Sequence, residues 1–280
     1  MQESWFPGHM MKAYHRLKEL IKGVDVVIEI RDGRAPVSSG NEGLETLCQN
    51  KKLLLLLNKE DLAEPVYTEK WINYFNGLGR KTFAVNSRAK TGMKPVMSFL
   101  QTILEQRKLH IASKGRKDAR VRVIVVGIPN AGKSAFINSI SKKGQVKVGK
   151  KAGLTRGEQW IKMSEGLELL DTPGILPFSK KEDAYWKLAV TGSINREKIE
   201  PLHILEQFYN SFHCDPLWYG AEDLYSFLKK KGTDYSFFIK GGEIDMEKTA
   251  RKFLQELGEG KIKERLTLEF PEDITQAVTQ

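Results

Sequence analysis

The chain has 280 residues, of which 40% are hydrophobic and 29% charged, and its formal net charge is +10. This composition excludes a fibrous or disordered chain and allows one large domain or two ordinary ones. The apolar run Leu53–Leu57 is far too short to span a bilayer, and the first residues lack the charged-then-apolar pattern of a secretory signal. We therefore expect a cytoplasmic, non-membrane protein in which Cys48 and Cys214 are reduced thiols.

The positive charge is unevenly distributed. Residues 196–280 contain 12 Lys/Arg and 16 Asp/Glu, a net charge of −4, which leaves +14 on the first 195 residues. A basic surface of this kind favours a polyanionic partner such as RNA, although a merely solvated basic face explains the charge equally well.

The chain opens with Ser4–Met10, which reads S-W-F-P-G-H-M, followed by a helical pattern to Lys22. Aromatic residues so near a terminus indicate an arm docked onto the body of the protein. Val24–Ile30 then predicts a strand that ends in the polar turn Arg31–Pro36. Because α/β sheets bind ligands at the carboxyl ends of their strands, we expect this turn to face a ligand.

A second buried strand, Lys52–Leu57, ends in the N-K-x-D sequence Asn58–Asp61. The carboxylate of Asp61 can accept hydrogen bonds from the N1–H and 2-amino groups of guanine, a donor pair that adenine lacks. Asn58 can bond either the base or a neighbouring loop, and the stem of Lys59 can lie over the ring.

Thr68–Gly77 and Lys94–His110 predict helices on either side of a third strand, Lys81–Val85. That strand ends in Asn86–Ala89, which is similar to the loop whose backbone N–H groups contact the guanine O6 in GTPases, except that Arg88 replaces the usual Lys. The basic segment Arg107–Arg122 predicts a mobile linker, which either contacts RNA phosphates or serves as a solvated connector.

The strand-like run Arg120–Val126 leads into Gly127–Ser134, which reads G-I-P-N-A-G-K-S and fits the P-loop pattern. Backbone N–H groups of such a loop and of the helix after it cradle phosphates. Lys133 can reach the β- and γ-phosphates, and the hydroxyl of Ser134 can ligate Mg²⁺. A chance match in a glycine-rich loop is the alternative.

Three further features follow the P-loop helix. A second basic run, 142–156, contains Thr155, whose position predicts a switch residue that ligates Mg²⁺ and touches the γ-phosphate, although an ordinary loop Thr is the alternative. Gln159–Met163 and Leu167–Leu170 predict a hairpin. The hairpin ends in Asp171–Gly174, a D-x-x-G sequence that fits a Mg²⁺-side Asp and a Gly whose N–H meets the γ-phosphate.

These five elements are those of a GTPase, but their order is rotated, because the N-K-x-D sequence precedes the P-loop. A circular permutation explains the order: the same sheet is opened at a different loop, and the segment after Gly174 runs directly into the C-terminal region. We therefore predict an α/β fold, a circularly permuted P-loop GTPase domain over residues 1–180 with a small all-α C-terminal domain over residues 181–280.

The motifs W-F-P-G-H-M, R-D-G-R-A-P, N-K-E-D, G-I-P-N-A-G-K-S, G-L-T-R and D-T-P-G-I-L, in this order, resemble the circularly permuted ribosome-biogenesis GTPases of the YlqF/RbgA type. The resemblance covers nearly the whole chain. It implies GTP hydrolysis coupled to late assembly of the large ribosomal subunit, with a helical C-terminal domain that docks on rRNA. Ala152 and Arg88 depart from the family's usual residues.

Ile175 stands where Ras-like enzymes place a water-orienting Gln, so intrinsic hydrolysis should be slow. The family resemblance suggests His9 as the water-positioning group or base, and a structural His under the aromatic arm is the alternative. Asn130 is similar to the Asn of GTPases that hold K⁺ beside the phosphates, and a loop Asn bonded to its own turn is the alternative.

The predicted enzyme is a GTP hydrolase, slow alone and stimulated by ribosomal particles, and we expect a monomer that binds the large-subunit precursor. Two alternatives are an RNA-binding scaffold that senses nucleotide with little turnover and a metabolic ATPase. The predicted catalytic residues are His9, Lys133 and Thr155. The predicted Mg²⁺ ligands are Ser134, Thr155 and Asp171, with Asn130 as a candidate K⁺ ligand. The predicted GTP/GDP contacts are Asn58, Lys59, Asp61, Asn86, Ser87, Arg88, Asn130, Ala131, Gly132, Lys133, Ser134, Ala135 and Gly174.

Overall fold

The computed structural model describes residues 8–41, 43–48, 50–115, 118–140, 147–148, 159–171, 182–194, 197, 199–212, 218 and 221–278. Within these ranges it describes the backbone alone at residues 8–14, 147–148, 159, 171, 182 and 275–278.

The strands of the described ranges form one seven-stranded sheet. They are β1 (Val26–Asp32), β2 (Lys52–Asn58), β3 (Lys81–Val85), β4 (Val121–Val126), β5 (Lys147–Val148), β6 (Gln159–Ser164) and β7 (Leu167–Asp171). Their order across the sheet is β3-β2-β1-β4-β7-β6-β5. The first five strands in this order are parallel, and β6 and β5 are antiparallel to their neighbours, so the predicted hairpin is confirmed.

The strand order has a reversal point at the centre of the sheet. From β1 the chain proceeds outward through β2 to β3, whereas from β4 it proceeds to β7 on the other side. Loops that leave the carboxyl ends of two such neighbouring strands diverge and open a crevice, which is where open α/β sheets bind ligands.

The strands are fixed by burial on both faces of the sheet. All seven residues of β1 are buried, as are the last five of β2. A parallel sheet that is covered on both faces requires such near-continuous apolar sequence, which β2 supplies as K-L-L-L-L-L-N.

The described helices surround this sheet and continue beyond it. They are α1 (Gly8–Lys22), α2 (Leu44–Leu47), α3 (Pro65–Gly77), α4 (Met93–Ala112), α5 (Lys133–Ile140), α6 (Glu182–Val190), α7 (Pro201–Phe212), α8 (Leu224–Asp234), α9 (Met246–Glu259) and α10 (Pro271–Val278). Within the described ranges, none of them combines the length and hydropathy that a bilayer-spanning helix needs.

The helices α6 to α9 pack against one another around a cluster of buried aromatic side chains. Asp223 begins α8 by accepting a hydrogen bond from the backbone N–H of Ser226 at 2.7 Å, and Asp245 begins α9 in the same way from Lys248 at 2.9 Å. Their core is continuous with that of the sheet. The clustered rings include the buried Trp186, Phe208, Trp218, Phe227 and Phe253 and the partly buried Phe212.

Residues 262–270, here called the C-terminal strap, return from α9 to the sheet. The backbone N–H of Leu266 donates to the carbonyl of Leu62 at 2.9 Å, and that of Leu268 donates to the carbonyl of Arg34 at 2.8 Å. The indole N–H of Trp71 donates to the carbonyl of Glu269 at 3.0 Å. The strap then leads into α10, which lies against α3.

Glu269 fixes the end of the strap by burying a carboxylate. Its oxygens accept hydrogen bonds from the backbone N–H groups of Val37 at 2.6 Å and Ser38 at 3.0 Å, and from the Ser38 hydroxyl. Burial raises the pKa of this carboxyl, against the opposing effect of these donors and of Lys187.

The predicted basic linker over Arg107–Arg122 was too long. The helix α4 extends to Ala112, and the described basic side chains at the two ends of the segment are engaged by carboxylates. Arg107 pairs with Asp25 at 3.5 Å, and Arg120 pairs with Glu168 at 3.1 Å. These two arginines are therefore paired within the fold, with their side chains still nearly half exposed.

We expect Glu269→Ala to reduce the free energy of unfolding by about 2–3 kcal/mol, because the buried N–H groups of Val37 and Ser38 lose their acceptor. Urea denaturation checks this value. Glu272→Ala is the control, since that glutamate lies just beyond the strap in an exposed pair with Lys70 and its loss should change little. Equal effects of the two substitutions would contradict the role of the buried carboxylate.

Candidate nucleotide-binding cleft

A cleft of about 1100 Å³ opens at the carboxyl ends of the central strands. It is lined by five separate parts of the chain: the loop after β2, the loop after β3, the loop after β4, and two stretches of the C-terminal helical region. The lining residues are Asn58, Lys59, Asp61, Leu62, Asn86, Arg88, Pro129, Asn130, Gly132, Lys133, Ser134, Ala135, Thr191, Gly192, Ser193, Ile194, Glu197, Gly258, Glu259 and Gly260.

Two glycines give the loop after β4 its shape. Gly127 has φ +157°, and a Cβ there would lie 2.5 Å from the carbonyl oxygen of Ile30. Gly132 has φ +104°, and a Cβ there would lie 2.0 Å from the Asn58 side-chain nitrogen. Only glycine permits this close approach, which brings the loop before α5 against β1 and the loop after β2.

Lys133, at the start of α5, is folded back over this loop. Its Nζ donates to the carbonyl oxygens of Gly127 at 2.8 Å and Ile128 at 2.5 Å. The side chain is buried with no carboxylate partner among the described side chains, and this desolvation lowers its pKa to about 8. A cation held this way at a helix N-terminus is well placed to receive an anion.

The side chain of Asn58 connects three loops of the cleft. Its Nδ2 donates to the carbonyl of Ala131 in the loop after β4 at 2.8 Å, and its Oδ1 accepts from the backbone N–H of Ser87 in the loop after β3 at 3.0 Å. Of the two roles open to Asn58 from the sequence, base contact or loop contact, the structure shows loop contact.

The ammonium group of Lys59 is paired with the buried carboxylate of Asp32. Its Nζ lies 2.8 Å from the Asp32 carboxylate, which also receives two hydrogen bonds from Arg34. Burial alone would raise the pKa of Asp32, but Arg34 and Lys59 together hold it well below its usual range. The stem of Lys59 is thereby held along the edge of the cleft.

The expectation that the turn Arg31–Pro36 faces a ligand was wrong. Asp32 and Arg34 are 0% and 1% exposed, and the described lining of the cleft includes no residue of this turn. The C-terminal helices cover the turn, which a reading of the first strands alone does not reveal. Within the turn, Asp32 pairs with Lys59 of the cleft and Arg34 pairs with Asp32.

Asp61 is exposed at the cleft, and its neighbour Glu60 accepts a hydrogen bond from the Thr91 hydroxyl at 2.7 Å. In the neighbouring loop after β3, the Asn86 side chain accepts hydrogen bonds from the backbone N–H groups of Arg88 at 3.0 Å and Ala89 at 2.9 Å, which closes a tight turn. The buried hydroxyl of Ser87 beside this turn has no partner among the described residues.

Asn130 is bound to the C-terminal region. It has φ +57°, and its Nδ2 donates to the carbonyl of Gly192 at 2.8 Å. The side-chain nitrogen of Asn130 therefore bonds the C-terminal region and not its own turn.

The structure brings together most of the sequence-predicted residues. Asn58, Lys59, Asp61, Asn86, Arg88, Asn130, Gly132, Lys133, Ser134 and Ala135 line one cleft, while Ser87 and Ala131 are buried directly behind it. Thr155 and Gly174 lie outside the described residues. Asp171 ends β7 and His9 lies in α1, and their side chains lie outside the description.

Sequence reasoning missed the two C-terminal stretches that line the cleft. These are residues 191–194, which follow α6, and residues 258–260, which end α9. The clusters T-G-S and G-E-G after helical patterns were the available signal, because small residues at helix ends allow the backbone to approach a ligand.

The cleft has the exposed carboxylate of Asp61 at one end and a P-loop with the buried Lys133 at the other. A carboxylate can read paired N–H donors of a base, and the loop with its helix N-terminus can bind the phosphates. The cleft therefore suits a purine nucleotide that carries such donors.

The sequence of the chain is similar to those of known GTPases. A family model described as "50S ribosome-binding GTPase" matches residues 122–217. Ribosome biogenesis GTPase A of Bacillus cereus is 35% identical over 98% of this chain and 96% of its own length. The protein of that name in Thermotoga maritima is 35% identical over 97% of this chain and 96% of its own length.

Solved structures show the same likeness. The GDP-bound structure of the protein titled TM YlqF is 30% identical, with a TM-score of 0.68, and the match covers 92% of this chain and all of that one. The structure of GNP-bound YlqF from T. maritima is 29% identical, also with a TM-score of 0.68, over 93% of this chain and 99% of that one. The chain is a circularly permuted GTPase with an α/β P-loop fold, and it belongs to the ribosome biogenesis GTPase A family.

Proposed function

We propose that this GTPase binds GTP with its guanine at Asp61 and its phosphates at Lys133, and that it couples hydrolysis to late assembly of the large ribosomal subunit. The observation that carries the proposal is that the Asn58–Asp61 loop and the Gly127–Ser134 loop line one cleft although the chain visits them in permuted order. The exposed Asp61 carboxylate favours guanine over adenine and argues against an ATPase.

The donor set of the cleft fits Mg²⁺. Ser134 is exposed at the start of α5, and β7, which ends in Asp171, lies parallel and adjacent to β4, which precedes the phosphate loop. Hydroxyl and carboxylate oxygens are the ligands that Mg²⁺ prefers. Ser134, Thr155 and Asp171 are the residues we propose to hold the ion, which would neutralise charge on the β- and γ-phosphates.

For hydrolysis we propose His9 as the group that positions or deprotonates the attacking water, with Thr155 and the backbone of Gly174 at the γ-phosphate. Since Ile175 cannot orient water, turnover of the isolated protein should be slow. K⁺ at Asn130 is a further candidate: the side-chain nitrogen donates to Gly192, and the side-chain oxygen is the atom that would ligate the ion. Equal turnover in KCl and NaCl at matched ionic strength would exclude it.

For the partner, we propose the large-subunit precursor. The relatives are named for ribosome biogenesis, and the matching family model is described as a 50S ribosome-binding GTPase, which supports this proposal. Support comes from the excess of basic residues before residue 196 and from exposed lysines and arginines of the helical region, which we propose as a ribosome-binding domain over residues 181–280. We expect a cytoplasmic monomer. The exposed basic groups of that region include Lys229, Lys230, Lys261, Lys263 and Arg265.

A passive RNA-binding scaffold that only senses nucleotide is the competing account of the same basic surface. Turnover separates the two accounts, because a scaffold predicts no increase in GTP hydrolysis when ribosomal particles are added.

We expect Asp61→Asn to weaken GTP binding about 10- to 100-fold, because a charged acceptor of two hydrogen bonds is lost. The same variant should gain affinity for xanthosine triphosphate, whose C2 carbonyl accepts a hydrogen bond from the new amide. Competition binding against GTP, ATP and xanthosine triphosphate measures this change. Glu60→Gln is the matched control, since Glu60 bonds Thr91 and does not line the cleft. Unchanged base preference in Asp61→Asn would remove Asp61 from recognition.

We expect GDP affinity to fall as the pH rises above about 8, up to about tenfold per pH unit. Burial lowers the pKa of Lys133 to about 8 in the free protein, whereas a bound phosphate favours the charged amine, so binding takes up a proton above that pH. Calorimetry from about pH 7 to about pH 9 in buffers of different ionisation enthalpy measures the uptake. Lys133→Arg, which stays charged, should bind without this slope, and the same slope in both proteins would refute the assignment.

We expect large ribosomal subunits to accelerate GTP hydrolysis and to co-sediment with the protein when a non-hydrolysable GTP analogue is bound, and less when GDP is bound. His9→Ala should retain GTP binding and lose the acceleration, because a water-positioning group is removed. Small subunits serve as the control particle. Full acceleration of His9→Ala would exclude His9 from the mechanism, and equal sedimentation with both subunits would contradict the proposed partner.

A further inference from the structure

Arg34 holds the C-terminal helical region against the cleft. Its guanidinium is 1% exposed and reaches across the structure to two separate C-terminal segments. Nη1 donates to the carbonyl of Leu257 at 2.7 Å, and Nη2 donates to that of Thr191 at 3.2 Å and lies 3.4 Å from that of Gly258.

These acceptors stand at the carboxyl ends of two helices. Thr191 directly follows α6, and Leu257 and Gly258 belong to the last turn of α9. The last carbonyls of a helix have no partner within the helix, and the negative end of its dipole favours a cation. One buried arginine therefore caps both helices and fixes their ends relative to each other.

The cleft is lined by the residues at these two ends. Residues 191–194 and 258–260, here called the C-terminal wall, face the same space as Asp61 and Lys133. Gly192, at φ +73°, and Gly260, at φ +67°, turn the chain sharply after each helix.

The wall also touches both nucleotide-binding loops. Asn130 of the phosphate loop donates to the carbonyl of Gly192 at 2.8 Å. At the other end, Gly260 packs so closely on Leu62, next to Asp61, that a Cβ on Gly260 would lie 2.3 Å from a Leu62 methyl carbon. Residues 258–260 therefore lie beside the base-reading loop, and residues 191–194 lie beside the phosphate loop.

Asp32 connects Arg34 to the base-reading loop. It receives Arg34 Nε at 2.9 Å and Nη2 at 2.9 Å, and it pairs with Lys59 at 2.8 Å. The paired carboxylate fixes the guanidinium plane, which leaves the remaining N–H groups directed at the helix ends.

We propose that the C-terminal wall is a binding segment of the guanine nucleotide site, and that Arg34 is the positioning residue that holds it there. The inference rests on the proposed binding of guanine nucleotide in the cleft. Residues outside the five GTPase motifs then contact the nucleotide. Nucleotide binding therefore also orders the ends of α6 and α9.

Hydrogen–deuterium exchange on the full chain, with and without GDP and Mg²⁺, tests the wall without any substitution. We expect GDP to slow exchange in residues 127–135 and also in residues 191–194 and 258–260. Protection of residues 127–135 with none in the wall would overturn the inference and leave nucleotide binding in place. Absence of protection in residues 127–135 would instead refute nucleotide binding at this cleft.

Arg34→Lys tests the positioning role, because lysine can pair with Asp32 but cannot reach the two helix ends together. We expect GDP affinity to fall about tenfold and protection of the wall to be lost, while protection of residues 127–135 remains. Wild-type affinity and wall protection in this variant would overturn the role of Arg34.

Arg31→Lys is the matched control. Arg31, in β1, is also buried and pairs with a carboxylate, Glu29, at 2.7 Å. It donates to the carbonyl of Pro36 and lies over the ring of Phe75, and it does not line the cleft. We expect this variant to lower thermal stability while leaving GDP affinity and wall protection unchanged. The same loss of wall protection in both variants would reduce Arg34 to a general stabilising residue.

Discussion

The cleft depends on one buried side-chain amide. Asn58 is 2% exposed, and its nitrogen and oxygen bond the loops that follow β4 and β3. A buried amide must satisfy both its donor and its acceptor, so each loop has little freedom to move away independently. The glycine at position 132 allows this bond, since any side chain there would occupy the space of the amide. The loop proposed to bind the base and the loop proposed to bind the phosphates are therefore held in a fixed position relative to each other.

The sheet makes this meeting independent of the order of the motifs in the chain. β4 lies between β1 and β7, so its loop emerges beside loops that come both earlier and later in sequence. Opening the chain at a different loop changes the connections between strands but leaves the same strand ends side by side at the carboxyl end of the sheet. The new connections matter at the C-terminus, where the strap and α10 return to α3 and the core of the helices merges with that of the sheet.

The sequence predicted six of the seven described strands, several of the helices and ten of the cleft's lining residues, because each of these follows from a local pattern: a buried apolar run, a helical spacing or a motif after a strand. It failed where the answer lay in distant contacts. Arg34 sits in a polar turn that local reasoning assigns to a ligand, but its partners lie more than 150 residues away at Thr191 and Leu257. Asn130 meets Gly192 for the same reason, and no local pattern encodes either pairing.

We propose that the Asn58–Asp61 loop and the Gly127–Ser134 loop bind a single guanine nucleotide together. The most direct measurement is an experimental structure of the full chain with GDP and Mg²⁺. We predict the guanine edge within hydrogen-bonding distance of the Asp61 carboxylate and the β-phosphate at Lys133, with the bonds of Asn58 to Ala131 and Ser87 retained. A nucleotide bound at Lys133 with its base turned away from Asp61 would contradict the account.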